Sequence, residues 1–230
     1  MEIVFVADIA DDVDDAVAIE YLQRLGVLKC TVLDGKSNDA EREKRLTDLG
    51  VVITDAIPSD TKIIFCGGAL TKVAEYVKTN KLDVLVANGG YAGANVVPFK
   101  EQLDKFKNKS KIRTYNFNLD VDAALSVLSS PNIKDMLFVS KNVCHSERNT
   151  RAEFHAADSF LDDYKIDGTK RLHDLLMVKE GINFLNNEKM TCKYGNANLV
   201  CDRQIPDNMS RWSSVLNPYS KVQISVGFNN

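Results

Sequence analysis

The sequence of 230 residues contains no apolar run near the roughly 20 residues that a membrane-spanning helix needs. The apolar run at 3–7 ends at Asp8, without the basic start and longer apolar stretch of a signal peptide. An excess of positive charge is also absent, because 29 basic and 32 acidic residues give a formal net charge of −3. We therefore expect neither nucleic acid nor a membrane as a partner.

Cysteine is sparse and lacks metal-binding spacing. The five cysteines are odd in number, no two form a CxxC pair, and Cys30 and Cys66 lie in apolar, strand-like segments. This usage is typical of buried free thiols in a reducing compartment, so we expect a cytoplasmic protein. With 44% hydrophobic and 27% charged residues and no linker-like stretch, the composition predicts one globular domain over residues 1–230.

Strand-like apolar segments alternate with amphipathic ones along most of the chain. The predicted strands lie at 3–7, 29–33, 51–54, 62–66, 84–87, 112–115, 136–140, 199–201 and 222–226. The predicted helices lie at 13–25, 39–49, 70–78, 120–128, 151–164 and 171–186. This alternation indicates an α/β fold, with a mainly parallel, Rossmann-like open sheet and helices on both faces.

An acidic cluster follows the first predicted strand. Its five aspartates fall within eight residues, at Asp8, Asp11, Asp12, Asp14 and Asp15. Open α/β sheets bind ligands at the carboxyl ends of their strands, which is where the cluster lies. Carboxylates about 4 Å apart repel by roughly 4 kcal/mol at an effective dielectric of 20. A hard divalent cation such as Ca²⁺ would offset this repulsion; alternatively, the cluster is a solvated loop whose acids complement the helix dipole.

Five segments resemble, in the same order, the signatures of the inosine-uridine-preferring nucleoside hydrolase family. ADIADDVDDAVAI at 7–19 is similar to the family's DxDIGxDxDDAxAL. The other four are CGGALTKVAEYV at 66–77, VANGGYAGANVVP at 86–98, YNFNLDVDAA at 115–124 and KRLHDLLMV at 170–178. The resemblance implies a nucleoside hydrolase-like fold and a glycosidase that acts on N-glycosyl bonds.

The resemblance also implies a metal centre. Asp8, Asp15, Asp174 and the main-chain carbonyl of Val97 would hold Ca²⁺. Asp8 would in addition be the base that activates the attacking water.

Four further residues would bind or protonate the substrate by the same resemblance. Asp14, Asn116 and Asn95 would contact the sugar, and His173 would assist the departing base. The implied reaction is calcium-dependent hydrolysis of a ribonucleoside to free base and ribose, as in purine and pyrimidine salvage. Members of this family form homodimers and homotetramers, so the resemblance further implies that the protein assembles in one of these ways.

Departures from the family pattern leave alternatives open. Val6 replaces the first acid of the DxD pair, and Thr114 replaces a sugar-binding glutamate. A shorter-loop register would put Ala10 at the ligand position of Asp8. One alternative is a related ribosyl substrate, such as a modified nucleoside or a nucleotide-sugar. Another is a metal-binding, non-catalytic regulatory protein.

Overall fold

The computed structural model describes residues 1–9, 13–34, 39–151, 154, 158–166 and 168–229. In these ranges the strands are β1 Ile3–Ala7, β2 Leu28–Leu33, β3 Ile53–Thr54, β4 Ile63–Cys66, β5 Leu82–Asn88, β6 Ile133–Val139, β7 Cys192–Asp202, β8 Arg211–Leu216 and β9 Val222–Phe228. The helices are α1 Asp14–Arg24, α2 Ala40–Asp48, α3 Thr71–Val77, α4 Tyr115–Leu119, α5 Val121–Ser129, α6 Lys141–Cys144, α7 Asp158–Leu161 and α8 His173–Asn186.

The strands form one open sheet in the order β3-β2-β1-β4-β5-β6-β9-β7-β8. Strands β1 to β6 and β9 pair in parallel, whereas β7 runs antiparallel to both β9 and β8. The predicted α/β class with a mostly parallel open sheet is therefore confirmed. The chain extends from β1 to β2 and β3 on one side and then crosses to β4 on the other. Such a switch point opens a crevice at the carboxyl ends of β1 and β4.

Side-chain alternation along β1 explains why both faces of the sheet are covered. Ile3 and Phe5 pack into one buried core together with α1 and α8. Val4 and Val6 face the other way, into a second core that includes residues of α3 and α5. A strand that is apolar at every position needs helices on both faces, because successive side chains point to opposite sides.

The sequence prediction was wrong at the segment 112–115. Ile112 makes an isolated bridge to Trp212, and α4 begins at Tyr115, so no strand forms there. The prediction also missed β8, which pairs along β7. The predicted helix at 151–164 lies partly outside the described residues, and α7 is the part of it that the structure describes. Among the helices of the described ranges, none is long and apolar enough to span a bilayer.

The cysteines agree with the prediction of free thiols. Four of them, Cys30, Cys66, Cys144 and Cys192, are buried and unbridged, and Cys201 is partly exposed. Burial raises the pKa of the Cys66 thiol, which lies at the carboxyl end of β4. These thiols therefore act as small packing groups in the core.

Candidate active site

A cavity of about 300 Å³ opens at the carboxyl edge of the parallel strands. Asp8 follows β1, Gly67 follows β4, Asn88 ends β5, and Lys141 begins the helix after β6; all four line the cavity. Six residues predicted from the sequence lie on its wall: Asp8, Asp14, Asp15, Asn116, His173 and Asp174. The fold thus brings together residues that are up to 166 positions apart in the chain, and it does so at the switch point of the sheet.

Two carboxylates and the Cβ atom of Asp8 lie close to a glycine pair after β4. A Cβ atom placed on Gly67 would lie 2.1 Å from Asp15 Oδ1 and 3.0 Å from Asp174 Oδ1. One placed on Gly68 would lie 3.4 Å from the Cβ atom of Asp8. The Oδ1 atoms of Asp8 and Asp15 are both buried. Glycine is required at position 67 because any side chain would occupy the space that the carboxylate of Asp15 fills.

Asn88 holds the carboxylate of Asp174 in place. Its Nδ2 donates to Asp174 Oδ1 at 3.0 Å, and its Oδ1 accepts from the Cys144 thiol at 3.3 Å. Burial raises the pKa of the Cys144 thiol to about 12, so the thiol keeps its proton and remains a donor. The thiol therefore fixes which end of the Asn88 amide faces the acid.

Asn116 links the ends of two neighbouring strands. Its Nδ2 donates to the carbonyl oxygen of Gly67, after β4, and to that of Asn88 at 3.0 Å, at the end of β5. With both amide protons used in this way, the amide oxygen is the polar atom that Asn116 can offer to a ligand.

Asp14 joins the first turns of α1 and α8. Its Oδ2 accepts a hydrogen bond from the backbone N–H of His173 at 3.0 Å, and its side chain is buried. Acids at a helix start satisfy free amides and complement the dipole. Asp14 therefore positions the turn that carries His173 and Asp174, a role that the sequence did not predict.

The imidazole of His173 stacks edge to face on that of His145. Their ring centroids lie 5.1 Å apart, and His145 in turn packs on Phe106 at 5.5 Å. Burial, reinforced by nearby cations, lowers the pKa of His145 to about 4. His145 is therefore neutral at pH 7 and supports the ring of His173 without adding charge.

Two predicted residues do not reach the cavity. The carbonyl of Val97 accepts from Gln102 Nε2 at 2.8 Å, and Asn95 Nδ2 donates to the carbonyl of Ser214 at 2.8 Å. Neither is among the described residues that line the wall. The turn that contains them is tied to β8 and to the loop around Gln102. The metal role of Val97 and the sugar role of Asn95 stay predictions.

The oxygen ligands of the cavity's acids are of the type that a hard divalent cation prefers. Asp8, Asp15 and Asp174 offer carboxylate oxygens, which Ca²⁺ prefers, and all three approach the same glycine pair. Within the described residues, however, no group of three or more His, Cys, Asp or Glu side chains is arranged closely enough to hold a metal ion. The donor types fit the predicted cation, whereas the positions of the donors are not those of a completed coordination shell.

Sequence reasoning missed four cavity residues, Asn88, Tyr115, Leu119 and Lys141. Asn88 and Lys141 carry a usable signal, because each lies at or just after the end of a predicted strand, where side chains meet at one edge of the sheet. Tyr115 was assigned to a strand and instead begins α4, with 54% of its surface exposed at the cavity. Thr114, which replaces the family glutamate, is fully buried.

All five segments that carry the family resemblance contribute to the cavity wall. They supply the acids of 7–19, the glycine pair of 66–77, Asn88 of 86–98, Asn116 of 115–124 and the His173-Asp174 pair of 170–178. Lys141 is the lining residue that lies outside these segments. Comparison with protein-family models and with curated proteins gives no match to this chain. The chain is therefore assigned to no family, and its function is argued from the site.

Proposed function

We propose that this protein hydrolyses the N-glycosidic bond of a ribosyl compound of the nucleoside type, with Ca²⁺ as its cofactor. The observation that carries the proposal is that the five segments chosen by resemblance each supply residues to one cavity at the switch point of the sheet. The segments that follow β1, β4 and β5 would reach this edge in any open parallel sheet. The segments at 115–124 and 170–178 follow no parallel strand directly, and their presence at the same cavity is what supports the resemblance.

The charge of the cavity suits this reaction. Four aspartates line it, at positions 8, 14, 15 and 174. Cleavage of an N-glycosidic bond develops positive charge on the ribose ring, and fixed negative charges stabilise that transition state more than the neutral ground state. The acids therefore favour the chemical step rather than tight binding of the substrate.

The proton transfers can be assigned to residues on the wall. Asp8 takes a proton from the attacking water as a new bond forms between the water oxygen and C1′. The bond from C1′ to the base nitrogen breaks, and His173 supplies a proton to the departing base. The amide oxygen of Asn116 accepts a hydrogen bond from a sugar hydroxyl in this proposal, because its amide nitrogen already donates to two carbonyls.

Asp8, Asp15 and Asp174 would hold the cation. When bound, Ca²⁺ supplies a Lewis acid that lowers the pKa of the attacking water and orients sugar hydroxyls. The proposal also includes a cytoplasmic location, which the unbridged cysteines favour. Assembly into a homodimer or homotetramer stays a prediction.

The test is release of free base from inosine, uridine, adenosine and cytidine, with added Ca²⁺ and with a chelator. We expect release from at least one nucleoside, loss of release with the chelator, and recovery when Ca²⁺ is restored. The melting temperature is measured in parallel. A calcium-dependent rise in melting temperature without base release would instead support the non-catalytic regulatory protein.

A further inference from the structure

Three cations lie around His145, whose ring contacts that of His173 on the cavity wall. We call Lys105, Lys141 and Arg171 the basic cluster. The Nζ atom of Lys105 lies 3.5 Å from His145 Nδ1, and Arg171 Nε donates to the carbonyl of Ser146 at 3.4 Å. Lys141 lines the cavity itself. These cations come from three separate parts of the chain, so the cluster is a product of the fold.

The basic cluster has no acidic counterpart. Within the described ranges, none of its three side chains forms an ion pair with a carboxylate, whereas Arg45, Lys111 and Arg203 each do. Its combined field reaches His145, because all three cations add to the effect of burial in lowering the pKa of that residue. Uncompensated like charges repel, and a bound anion would relieve that repulsion.

Lys141 of the basic cluster and Asp8 lie at opposite ends of the cavity wall, whereas Asp174 lies nearer the cluster, because Asn88 at the end of β5 holds it. Asp8 follows β1 and Lys141 follows β6, and β4 and β5 lie between these strands. Three strand spacings of about 4.8 Å separate the two ends by roughly 14 Å. His173 connects them, since it lines the cavity and its ring contacts His145. A ligand whose sugar lies at the acids would extend past His173 toward the basic cluster.

We propose that the substrate carries an anionic group, a phosphate or a carboxylate, and that the basic cluster binds it. The inference rests on the proposed function and names its substrate class as anionic ribosyl compounds. A neutral nucleoside would leave three positive charges uncompensated beside it, whereas an anionic one would pair with them. Lysine ammonium groups bind either anion as point charges, so the position of the group on the ligand decides between the two.

Matched substrate pairs test this preference. Uridine 5′-monophosphate is compared with uridine, and nicotinic acid riboside with nicotinamide riboside, by kcat/KM for base release. We expect the member that carries the additional phosphate or carboxylate to be preferred by about tenfold or more in one pair, and added salt to reduce that preference. The first pair reports an anion on the sugar and the second an anion on the leaving group.

Charge removal identifies the residues responsible. The double variant Lys105→Gln and Lys141→Gln should lose about 10- to 100-fold in kcat/KM on the anionic substrate, the range for charged hydrogen bonds. Its loss on the partner that lacks the anionic group should be smaller by at least about fivefold. Lys81→Gln is the matched control, because Lys81 precedes β5 at the opposite edge of the sheet and is exposed. Equal rates within both pairs, or equal losses on both members, would overturn the inference.

A binding measurement separates this inference from the proposed function. Inorganic phosphate should raise the melting temperature of the wild type and of Lys81→Gln, and have little effect on the double variant. Phosphate stabilisation that depends on the basic cluster, with no base released from any of the four compounds, would overturn the hydrolase proposal and retain the anion site. Identical phosphate effects on all three proteins would overturn the anion site, whatever the activity.

Discussion

Charged side chains are arranged differently at the two edges of the parallel sheet. At the amino edge, Lys29 at the start of β2 pairs with Asp60 at 2.7 Å and lies 3.7 Å from Glu2. The hydrogen bond between Lys29 and Asp60 raises the pKa of Lys29 and lowers that of Asp60. At the carboxyl edge, the acids gather around Gly67 and the cations around His145.

Charges that pair with each other on the surface favour solubility, whereas charges that are grouped by sign in a cavity favour ligand binding. An exposed ion pair such as Lys29 with Asp60 neutralises itself, is screened by salt and contributes little to stability. Segregated charges leave an uncompensated field inside a cavity, where a substrate or cation can respond to it. The carboxyl edge is therefore where a change of one charge should alter function, and the amino edge is where the same change should not.

The largest expected effect is that of Asp8→Asn. If Asp8 is the general base, turnover should fall by a factor of at least about 100, because an amide cannot take the proton. Binding of a ribose-like inhibitor should survive in part, since an amide oxygen can still ligate Ca²⁺. Base release and inhibitor affinity are measured on the same preparation.

Asp60→Asn is the matched control at the amino edge, and it should leave turnover within about twofold. Near-normal turnover of Asp8→Asn would contradict the role of Asp8 and the alignment register behind it. The comparison between the two edges would fail if both variants lost turnover alike.

His173→Ala should show an effect that depends on the leaving group. Turnover of a purine nucleoside should fall by about 10- to 100-fold, whereas an activated nitrophenyl riboside should lose less than about threefold, because its leaving group needs no proton. The measurement is kcat on both substrates. Equal losses on the two would remove His173 from the role of acid and leave it a positioning residue.

Gly67→Ala tests the convergence of the acids directly. The added Cβ atom would lie 2.1 Å from Asp15 Oδ1, so the carboxylate must move. We expect the free energy of unfolding to fall by about 1–3 kcal/mol, as for overpacked buried sites, and the calcium-dependent rise in melting temperature to shrink.

Gly168→Ala is its control, since no described atom lies within 4 Å of the added Cβ there. Its unfolding free energy should change by less than about 0.5 kcal/mol. A stable Gly67→Ala protein with unchanged response to Ca²⁺ would show that the acids do not depend on close approach at this glycine.

The smallest expected effect is a pH dependence of the protein's stability that arises from His145, around which the basic cluster lies. Burial and the three cations lower the pKa of folded His145 to about 4, from an ordinary value of 6.5. Between these values the unfolded chain binds the proton more strongly, so this residue makes stability fall as the pH drops from about 6.5 toward 4.

His145→Gln should remove that contribution. Melting temperatures are compared at pH 7 and pH 4.5 for both proteins. We expect the variant to lose fewer degrees than the wild type across this interval, and parallel curves would contradict the prediction.

Elements whose signal is local could be predicted from the sequence. The apolar run at 3–7 forms β1 as predicted, and the helix predicted at 70–78 is α3, Thr71–Val77. Asp120, where the predicted helix at 120–128 begins, caps α5 with its Oδ1, which accepts from the backbone N–H of Ala123 at 2.9 Å. These features depend on side-chain periodicity and on hydrogen bonds between near neighbours, both of which a sequence shows directly.

The strand predicted at 112–115 does not form, because strand formation depends on a pairing partner that is distant in the sequence. Ile112 pairs with Trp212 through hydrogen bonds of 3.0 and 2.7 Å, a contact across 100 positions. The antiparallel end of the sheet, where β8 pairs with β7, was missed for the same reason. Strand pairing depends on long-range partners, whereas periodicity describes one segment at a time.

The sequence by itself determined that acids cluster after the first strand, and the family resemblance of its segments added Asp174 to Asp8 and Asp15 as one candidate group. Tertiary structure alone decided that Asn88 holds Asp174 across 86 positions and that the carbonyl of Val97 accepts a hydrogen bond from Gln102. It also decided that three cations from separate segments surround His145. The physical reason is that a side chain's type is fixed locally, whereas its neighbours follow from the order of the strands and the close approach that glycine permits.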